Sequence, residues 1–283
     1  MTLVTSRELV EEAYRAGRAV AALNVITLEH VEAVTQAAED AGLPVIVQVS
    51  ENAARFHAGR VEPIAAAAAV LAQAVKARVA LHLDHVTQAG LVTDALSSPF
   101  SSIMYDAGAL PYDENVARTR DVARRAHEAG LWVEAELGHV GGKPDAPRSA
   151  HSEGVRTDPD EAVAFVADTG VDALAVAVGS RHAMRERTAQ LDLGLIADLR
   201  ARLEVPLVLH GSSGVPDEQL RAAVAAGLTK VNIGTALNIA MTRSVRAALT
   251  ADDAVVDPRV YLGEARREMT RVAEHVLRVC AGG

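Results

Sequence analysis

Short, continuously apolar segments alternate with longer amphipathic ones along this chain. Segments apolar at every position are typical of strands buried on both faces, as in parallel sheets. The longer segments have the helical period, and several end at a glycine. The pattern predicts strands over residues 19–24, 44–49, 79–83, 102–105, 132–136, 173–177, 207–209 and 230–233, with helices that include 28–41, 112–129, 159–168 and 216–226.

Strands that alternate with helices at this rhythm indicate parallel βαβ units. Eight units favour an α/β fold of the (β/α)8 TIM-barrel type over an open sheet, since no G-x-G-x-x-G follows the first strand. We expect one barrel domain over residues 1–283 with an extra C-terminal helix over 257–280. We also expect a mobile active-site loop over residues 138–158, because loops this long are usually functional or mobile.

Composition narrows the possible partners. The 283 residues are 49% apolar and carry a formal charge of −9, with no basic cluster. This argues against nucleic acid and anionic membranes as partners. The one cysteine, Cys280, cannot form an intrachain disulfide, and the N-terminus lacks a signal-peptide pattern. We therefore expect a soluble, cytoplasmic protein.

Three histidines follow predicted strands. His85 comes after the third strand, His182 after the sixth and His210 after the seventh. In a barrel of this kind the carboxyl ends of the strands form the working face, so all three would point into one mouth. Three imidazoles that leave one side open are the arrangement of a catalytic zinc site. Asp84, beside His85, is then placed to move protons at a substrate.

Structural interpretations of the same residues stay open. Asp84 could cap the helix that begins near Thr87, and His210 could be a satisfied core imidazole. His182 stands beside arginines that also suit an ordinary solvated loop.

Two loops rich in small residues indicate a phosphate site. Loops after the seventh and eighth barrel strands, with a helix N-terminus nearby, usually bind phosphate. The loops contain Gly211, Ser212, Ser213 and Gly214 after strand seven, and Asn232, Ile233, Gly234 and Thr235 at the end of strand eight. Two flexible turns with helix caps are the alternative.

These residues resemble a known family. The chain is similar to class II, metal-dependent ketose-bisphosphate aldolases, particularly to the branch that contains tagatose-bisphosphate aldolases. The similarity lies in the segments LHLDH, VEAELGHVGG, VDALAVAVGSRH, VPLVLHGSSGVPDE and TKVNIGTAL. The resemblance implies zinc on the three histidines, Asp84 as the catalytic proton carrier, and dihydroxyacetone phosphate held by the two small-residue loops.

The resemblance implies further roles. It places Asn24, Ser50, Gly179, Ala183 and Arg259 among the substrate-binding residues. Asp106 and Glu136 match positions that can hold a second metal, although ordinary strand-end carboxylates are an equal alternative. A monovalent cation (Na+ or K+) is expected near the backbone of Gly179 and Gly211, and the assembly is expected to be a homodimer or homotetramer.

The chain also departs from the family pattern. Ala183 stands where members usually have glycine. A glutamate usually follows the Gly-Gly of the strand-five loop, but here Lys143-Pro144-Asp145 follows. That role falls to Asp145, to Glu153, or to neither. Gly234 replaces the Asp of fructose-type and the Ala of tagatose-type enzymes, so a non-standard ketose phosphate or aldehyde acceptor is an alternative.

We expect an aldolase that reversibly cleaves a phosphorylated ketose to dihydroxyacetone phosphate and an aldehyde. A non-catalytic, zinc-binding barrel subunit is the alternative, motivated by the altered loop and Ala183. A Schiff-base aldolase is disfavoured because the lysines are few (Lys76, Lys143 and Lys230) and strand six offers none. A zinc hydrolase is disfavoured because no second histidine–carboxylate cluster suits two metals.

Overall fold

The computed structural model describes residues 2–138 and 156–282, and the structural statements below concern these residues. Eight strands form one closed barrel, in which each pairs in parallel with its neighbours in the chain and the eighth pairs with the first. The predicted barrel is confirmed. The strands are β1 Val20–Asn24, β2 Val45–Ser50, β3 Val79–Val86, β4 Ser102–Tyr105, β5 Trp132–Leu137, β6 Ala173–Val176, β7 Leu207–Leu209 and β8 Leu228–Ile233.

Helices connect the strands and flank the barrel. They are α1 Ser6–Arg15, α2 Leu28–Ala41, α3 Glu51–Phe56, α4 Glu62–Ala74, α5 Ala89–Leu96, α6 Tyr112–Glu128, α7 Pro159–Thr169, α8 Leu193–Arg202, α9 Asp217–Ala226, α10 Thr235–Ala251 and α11 Pro258–Cys280. The helix predicted over 257–280 is thus present as α11.

Local chemistry explains where several helices begin and end. The side chain of Thr5 accepts a hydrogen bond from the Glu8 amide at the start of α1, and Asp158 does the same for Glu161 in α7. Gly42 and Gly170 end α2 and α7 with φ of 63° and 70°. Glycine is favoured there because this left-handed backbone crowds a Cβ atom.

The barrel interior has an apolar floor and a polar upper half. Inward residues such as Ile46 and Trp132 pack on α1, which closes the amino-terminal end of the barrel. Above them the inward positions of the strands carry fully buried polar side chains: Gln48, His82, Ser102, Glu134 and Lys230. The outward residues form the larger core beneath the helices. Hydrogen bonds join this layer to its neighbours, such as His82 Nδ1 to the Ser102 hydroxyl at 2.7 Å and Gln48 Nε2 to Asn24 Oδ1 at 2.9 Å. Buried polar groups generally need such partners.

Candidate metal centre

Three histidines from distant parts of the chain converge at the carboxyl end of the barrel. The ring centroids of His85 and His182 lie 5.3 Å apart, those of His85 and His210 4.8 Å, and those of His182 and His210 5.9 Å. The structure thus brings together the residues that strand-end position had singled out.

Glu136 joins the three histidines. One potential ligand atom from each of the four residues lies within 4.8 Å of the other three. Imidazole nitrogens and a carboxylate oxygen are ligands that zinc accepts in tetrahedral sites, so the donor set fits such an ion. In the described part of the chain this is the one group of its kind, and Asp106 is not in it. Glu136 therefore lies in the main cluster, and a second metal site with Asp106, whose carboxylate contacts His85, stays a prediction.

Carboxylates orient two of the imidazoles. His85 Nδ1 lies 2.9 Å from Asp106 Oδ2, which leaves Nε2 of His85 for the cluster. His210 Nδ1 lies 2.7 Å from Glu136 Oε2, and its Nε2 lies 2.8 Å from Glu134 Oε1. Metal-binding histidines typically donate one ring nitrogen to such an outer carboxylate, which fixes the tautomer. Asp106 and Glu134 take that place here, so Nδ1 of His210, which faces Glu136 within the cluster, is the nitrogen that would bind a metal. Burial disfavours protonation of His210, but its bonds to Glu134 and Glu136 outweigh this and raise its pKa to about 9.

A buried lysine supports this arrangement. Lys230 is fully buried inside the barrel, and its Nζ lies 2.8 Å from Glu134 Oε2 and 2.8 Å from Asn232 Oδ1. The sequence analysis considered Lys230 only as a Schiff-base candidate and did not anticipate this supporting position. Both partners already engage the ammonium group, which suits an electrostatic role rather than nucleophilic attack.

Asp84 lies beside the cluster as a buried carboxylate with one of its two oxygens hydrogen-bonded. Its Oδ2 accepts a hydrogen bond of 3.0 Å from Asn24 Nδ2, and Asn24 Oδ1 accepts one of 2.9 Å from Gln48 Nε2. Its Oδ1 is buried and has no hydrogen-bond partner within the described residues. Burial raises the pKa of Asp84, but the His85 and His210 imidazoles outweigh it and hold the pKa below the usual carboxyl value. Asp84 is thus ionised, with one oxygen available to a substrate.

A bulge in β3 presents Asp84 and His85 together. The pairing of β3 with β4 shifts register between Leu83 and Val86, and His85 has φ of 51°. Left-handed backbone is uncommon for residues other than glycine and is often found at functional sites. The strand was predicted to end at residue 83, whereas β3 continues to Val86. The polar residues Asp84 and His85 are not typical of the interior of a buried strand, which is why the prediction was too short.

The two predicted phosphate loops lie against each other. Gly211 has φ of 67°, and a Cβ atom there would lie 2.6 Å from the Arg181 carbonyl oxygen and 2.9 Å from the His182 amide nitrogen. The Ser213 hydroxyl accepts a hydrogen bond of 3.1 Å from the Ala236 amide in the first turn of α10. The loop after β7 therefore packs on both the His182 segment and the helix after β8.

Asn232 offers an unused donor beside these loops. Its Oδ1 is held by Lys230, whereas its Nδ2 is buried and has no hydrogen-bond partner within the described residues. Ile233, by contrast, points into the outer core, so only its backbone is available to a ligand. Thr235 begins α10, and the positive end of a helix dipole favours an anion there.

The backbone is restricted at Gly234 and Ala183, which depart from the family pattern, and at Gly179, an expected substrate-binding residue. A Cβ atom at Gly234 would lie 3.1 Å from the Asn24 side chain. A Cβ atom at Gly179 would lie 2.4 Å from the Gln190 carbonyl oxygen. Ala183, directly after His182, has φ of 58° and therefore occupies the conformation that glycine adopts more readily.

Of the other predicted residues, one is exposed, one caps a helix beside the site, and one lies outside the described chain. Arg259 is 89% exposed at the start of α11 and pairs with Asp257. The Ser50 hydroxyl caps α3 by accepting from the Ala53 amide. Asp145, like its alternative Glu153 and most of the 138–158 loop, lies outside the described residues.

Sequence reasoning missed several side chains beneath the site. Glu134 and Lys230 precede Glu136 and Asn232 by two positions and so share their inward strand face. That spacing was a usable signal. Gln48 has no comparable signal, because one amide in a strand does not reveal its partner.

No helix in the described residues is both long and apolar enough to cross a bilayer.

Comparisons with known proteins agree with one another. Residues 4–282 match the family model described as Fructose-bisphosphate aldolase class-II. The chain is 37% identical to a fructose-bisphosphate aldolase of Staphylococcus aureus over 268 residues, which cover 94% of this chain and 93% of that protein. It is 38% identical to a fructose-bisphosphate aldolase of Geobacillus stearothermophilus, with 94% and 92% covered. The crystal structure of the YdjI aldolase from Escherichia coli K12 superposes with a TM-score of 0.85 at 29% identity, covering 99% of this chain and 98% of that one.

Proposed function

We propose a specific reaction for this chain, which belongs to the class-II fructose-bisphosphate aldolase family. Membership makes it an aldolase, a metal-dependent carbon–carbon lyase that cleaves a phosphorylated ketose. The proposed substrate is a fructose- or tagatose-bisphosphate-like ketose, and the products are dihydroxyacetone phosphate and an aldehyde. The non-catalytic alternative is not favoured, because an ionised, half-bonded Asp84 beside the cluster has no use in a scaffold protein.

The proposed cofactor is zinc, held by His85, His182 and His210. The donor set supports this ion, and Glu136 stands close enough to be a further ligand. When bound, such an ion supplies Lewis-acid chemistry to a ketose carbonyl. Asp106 remains a candidate for a second, non-catalytic metal, and a monovalent cation near Gly179 and Gly211 remains part of the proposal.

In this reaction Asp84 carries the proton. For cleavage, Oδ1 of Asp84 takes the proton of the hydroxyl group that becomes the aldehyde oxygen. The broken carbon–carbon bond leaves its electron pair on the dihydroxyacetone phosphate half as an enediolate. Asn24 holds Oδ2 at 3.0 Å and so fixes which oxygen faces the substrate. The enediolate carbon then needs a proton, a role we assign to Asp145 with Glu153 as the alternative.

The phosphate of the dihydroxyacetone half is assigned to the loops after β7 and β8. Backbone amides and the hydroxyls of Ser213 and Thr235 offer neutral donors, which a chain of net charge −9 needs for an anionic substrate. The Ser212 hydroxyl donates to the Leu209 carbonyl oxygen at 3.2 Å, so Ser212 would contribute through its backbone. The free Nδ2 of Asn232 is a donor for a substrate oxygen. Because Ala183 and Gly234 depart from the family pattern, an aldolase for a non-standard acceptor is the second candidate.

We also propose a homodimer or homotetramer. Of the 17 residues of α10 only Leu237 is buried, while Ile239, Leu249, Val256 and Val260 of the α10–α11 region are exposed. A second copy of the chain would cover these apolar side chains. Arg259 lies at the same end of α11, so its place in substrate binding would depend on the assembly. A cytoplasmic location stays a prediction.

One observation carries the proposed function: three imidazoles and the Asp84 carboxylate meet at the mouth of the barrel. The test is turnover of zinc-loaded protein with fructose and tagatose bisphosphates. A coupling dehydrogenase that reduces the dihydroxyacetone phosphate formed makes the turnover measurable as oxidation of NADH. We expect activity that a chelator abolishes and zinc restores, and that Asp84→Asn lowers kcat by roughly 10²–10⁴. No turnover with any phosphorylated ketose in the presence of zinc would contradict the proposal.

A further inference from the structure

The carboxylate of Glu51 collects the polar groups of the segment that follows β3. Its Oε2 accepts hydrogen bonds from the Thr87 amide at 2.7 Å, the Thr87 hydroxyl at 3.0 Å and the Gln88 amide at 3.2 Å. Its Oε1 accepts from the Thr87 hydroxyl at 3.0 Å and from Gln88 Nε2 at 2.9 Å. Glu51 is only 5% exposed, and Arg55 pairs with Oε1 from the solvent side.

The position of these bonds in the chain matters more than their number. Ser50, the residue before Glu51, pairs in register with Asp84 in β3. Thr87 follows Val86, the last residue of β3. The β2–α3 junction therefore contacts the β3 bulge at two points. Ser50 pairs with Asp84, and the Glu51 carboxylate binds the segment that follows the bulge.

That bulge contains the strained residue. His85 has φ of 51°, a conformation that is unfavourable for a residue with a Cβ atom and persists only where the surroundings impose it. On the β4 side, Asp106 restrains the bulge in two ways. Its backbone amide donates a hydrogen bond of 2.8 Å to the Val86 carbonyl oxygen, and its carboxylate contacts Nδ1 of His85. On the β2 side, Glu51 supplies the corresponding restraint. The peptide segment is thus fixed from both neighbouring strands.

We propose that Glu51 is a positioning residue, which aims the Asp84 carboxylate and the His85 imidazole although it touches neither. The inference rests on the proposed function for its kinetic consequence, but not for its effect on metal binding. A purely structural role, capping α5 at Gln88, would stabilise that helix without changing the direction of His85. The two roles differ in what is lost when the carboxylate is removed.

The test compares Glu51→Ala with Glu62→Gln. Glu62 is a matched control because it also lies in the first turn of a helix but is exposed and contacts only Arg60 among the ion pairs of the described chain. Zinc affinity is measured by competition with a chromophoric chelator. We expect Glu51→Ala to bind zinc measurably more weakly, by up to the roughly 10–100-fold that is lost when a residue bonded directly to a metal ligand is removed, and Glu62→Gln to match the wild type. Amide exchange in the peptide that spans residues 84–88 should rise in Glu51→Ala, while exchange in β5 stays unchanged.

Two milder variants keep the test decisive should Glu51→Ala fail to fold. Thr87→Val removes only the hydroxyl donor, and Glu51→Gln keeps one accepting oxygen, so each should weaken zinc binding by less than the alanine variant. In the turnover assay, kcat should fall with little change in KM, because the phosphate loops are untouched. Wild-type zinc affinity in every folded Glu51 and Thr87 variant would overturn the proposal. A wild-type protein without aldolase activity would refute the proposed function instead, and the zinc and exchange measurements would still decide the role of Glu51.

Discussion

Asn24 Nδ2 donates a 3.0 Å hydrogen bond to Oδ2 of Asp84, and Gln48 in turn holds Asn24 from β2. The pair joins the end of β1 to the β3 bulge across the barrel interior. It determines which oxygen of the buried carboxylate is left for the substrate.

Removal of this donor should slow catalysis. In Asn24→Ala, Oδ2 of Asp84 loses its donor in a buried place, and a hydrogen bond to a charged group is worth roughly 1.5–3 kcal/mol, or about 10–100-fold in kcat. Steady-state kinetics with the preferred ketose bisphosphate would measure this. Asn52→Ala is the control, since Asn52 is exposed and bonds only to Arg55 among its described contacts. Equal kcat values for the two variants would contradict the role of Asn24.

A methyl group at position 234 should disturb the same contact. The Cβ atom of Gly234→Ala would lie 3.1 Å from the Asn24 side chain, which would have to move by a few tenths of an ångström. We expect kcat to fall in the wild-type background but not in the Asn24→Ala background, because the two changes act on one hydrogen bond. A double-mutant cycle measures this coupling. Full additivity would show that Gly234 acts elsewhere, for example directly on the substrate.

The buried ion pair beneath His210 should affect folding stability. Lys230→Met removes the ammonium group from the fully buried Glu134 and leaves His210 as its remaining charged partner. Breaking a buried ion pair typically destabilises a protein by about 3–5 kcal/mol, and His210 should keep the loss at the lower end of that range. The double variant Lys230→Met/Glu134→Gln removes both charges and should recover most of that loss. Urea denaturation would measure the free energies of unfolding. A single variant as stable as the wild type would contradict this prediction and would mean that His210 alone compensates the charge of Glu134.

Glu51 should also contribute to stability against acid. Burial raises its pKa, but the hydrogen bonds from Gln88 and Thr87 outweigh burial and hold the pKa below the ordinary value. Its contribution is therefore present above the unfolded-state pKa of about 4.3 and is lost as pH falls through the lower folded-state value. The stability difference between wild type and Glu51→Gln should be largest near neutral pH and shrink in acid. A difference that grows towards low pH would have the wrong sign.

The sequence was sufficient for the barrel because its strands carry a local signal. Strands with two buried faces stand out as apolar runs, and β4 and β7 agree with their predicted bounds. The largest error lies at the end of β3, which continues to Val86 through a polar pair. A bulge of this kind depends on what the neighbouring strands supply, and no pattern within the strand reveals that.

The same limit applies to the site. Position at strand ends was enough to bring out the three histidines, since the fold places such ends at one mouth. The pairing of Glu134 with both His210 and Lys230 joins residues from three strands, and only the closed barrel defines it. Glu51 is a further example, because its partners lie 36 and 37 positions along the chain.

The left-handed backbone at His85 means that this barrel tolerates a local defect for the sake of its chemistry. Glycine adopts this conformation at lower energy than histidine. A protein no longer selected for activity should therefore accept glycine at position 85 and gain thermal stability. Computational redesign that ranks positions by folding energy alone would select residue 85 for repair. The redesigned protein would keep its fold and lose one of the residues proposed to bind the metal.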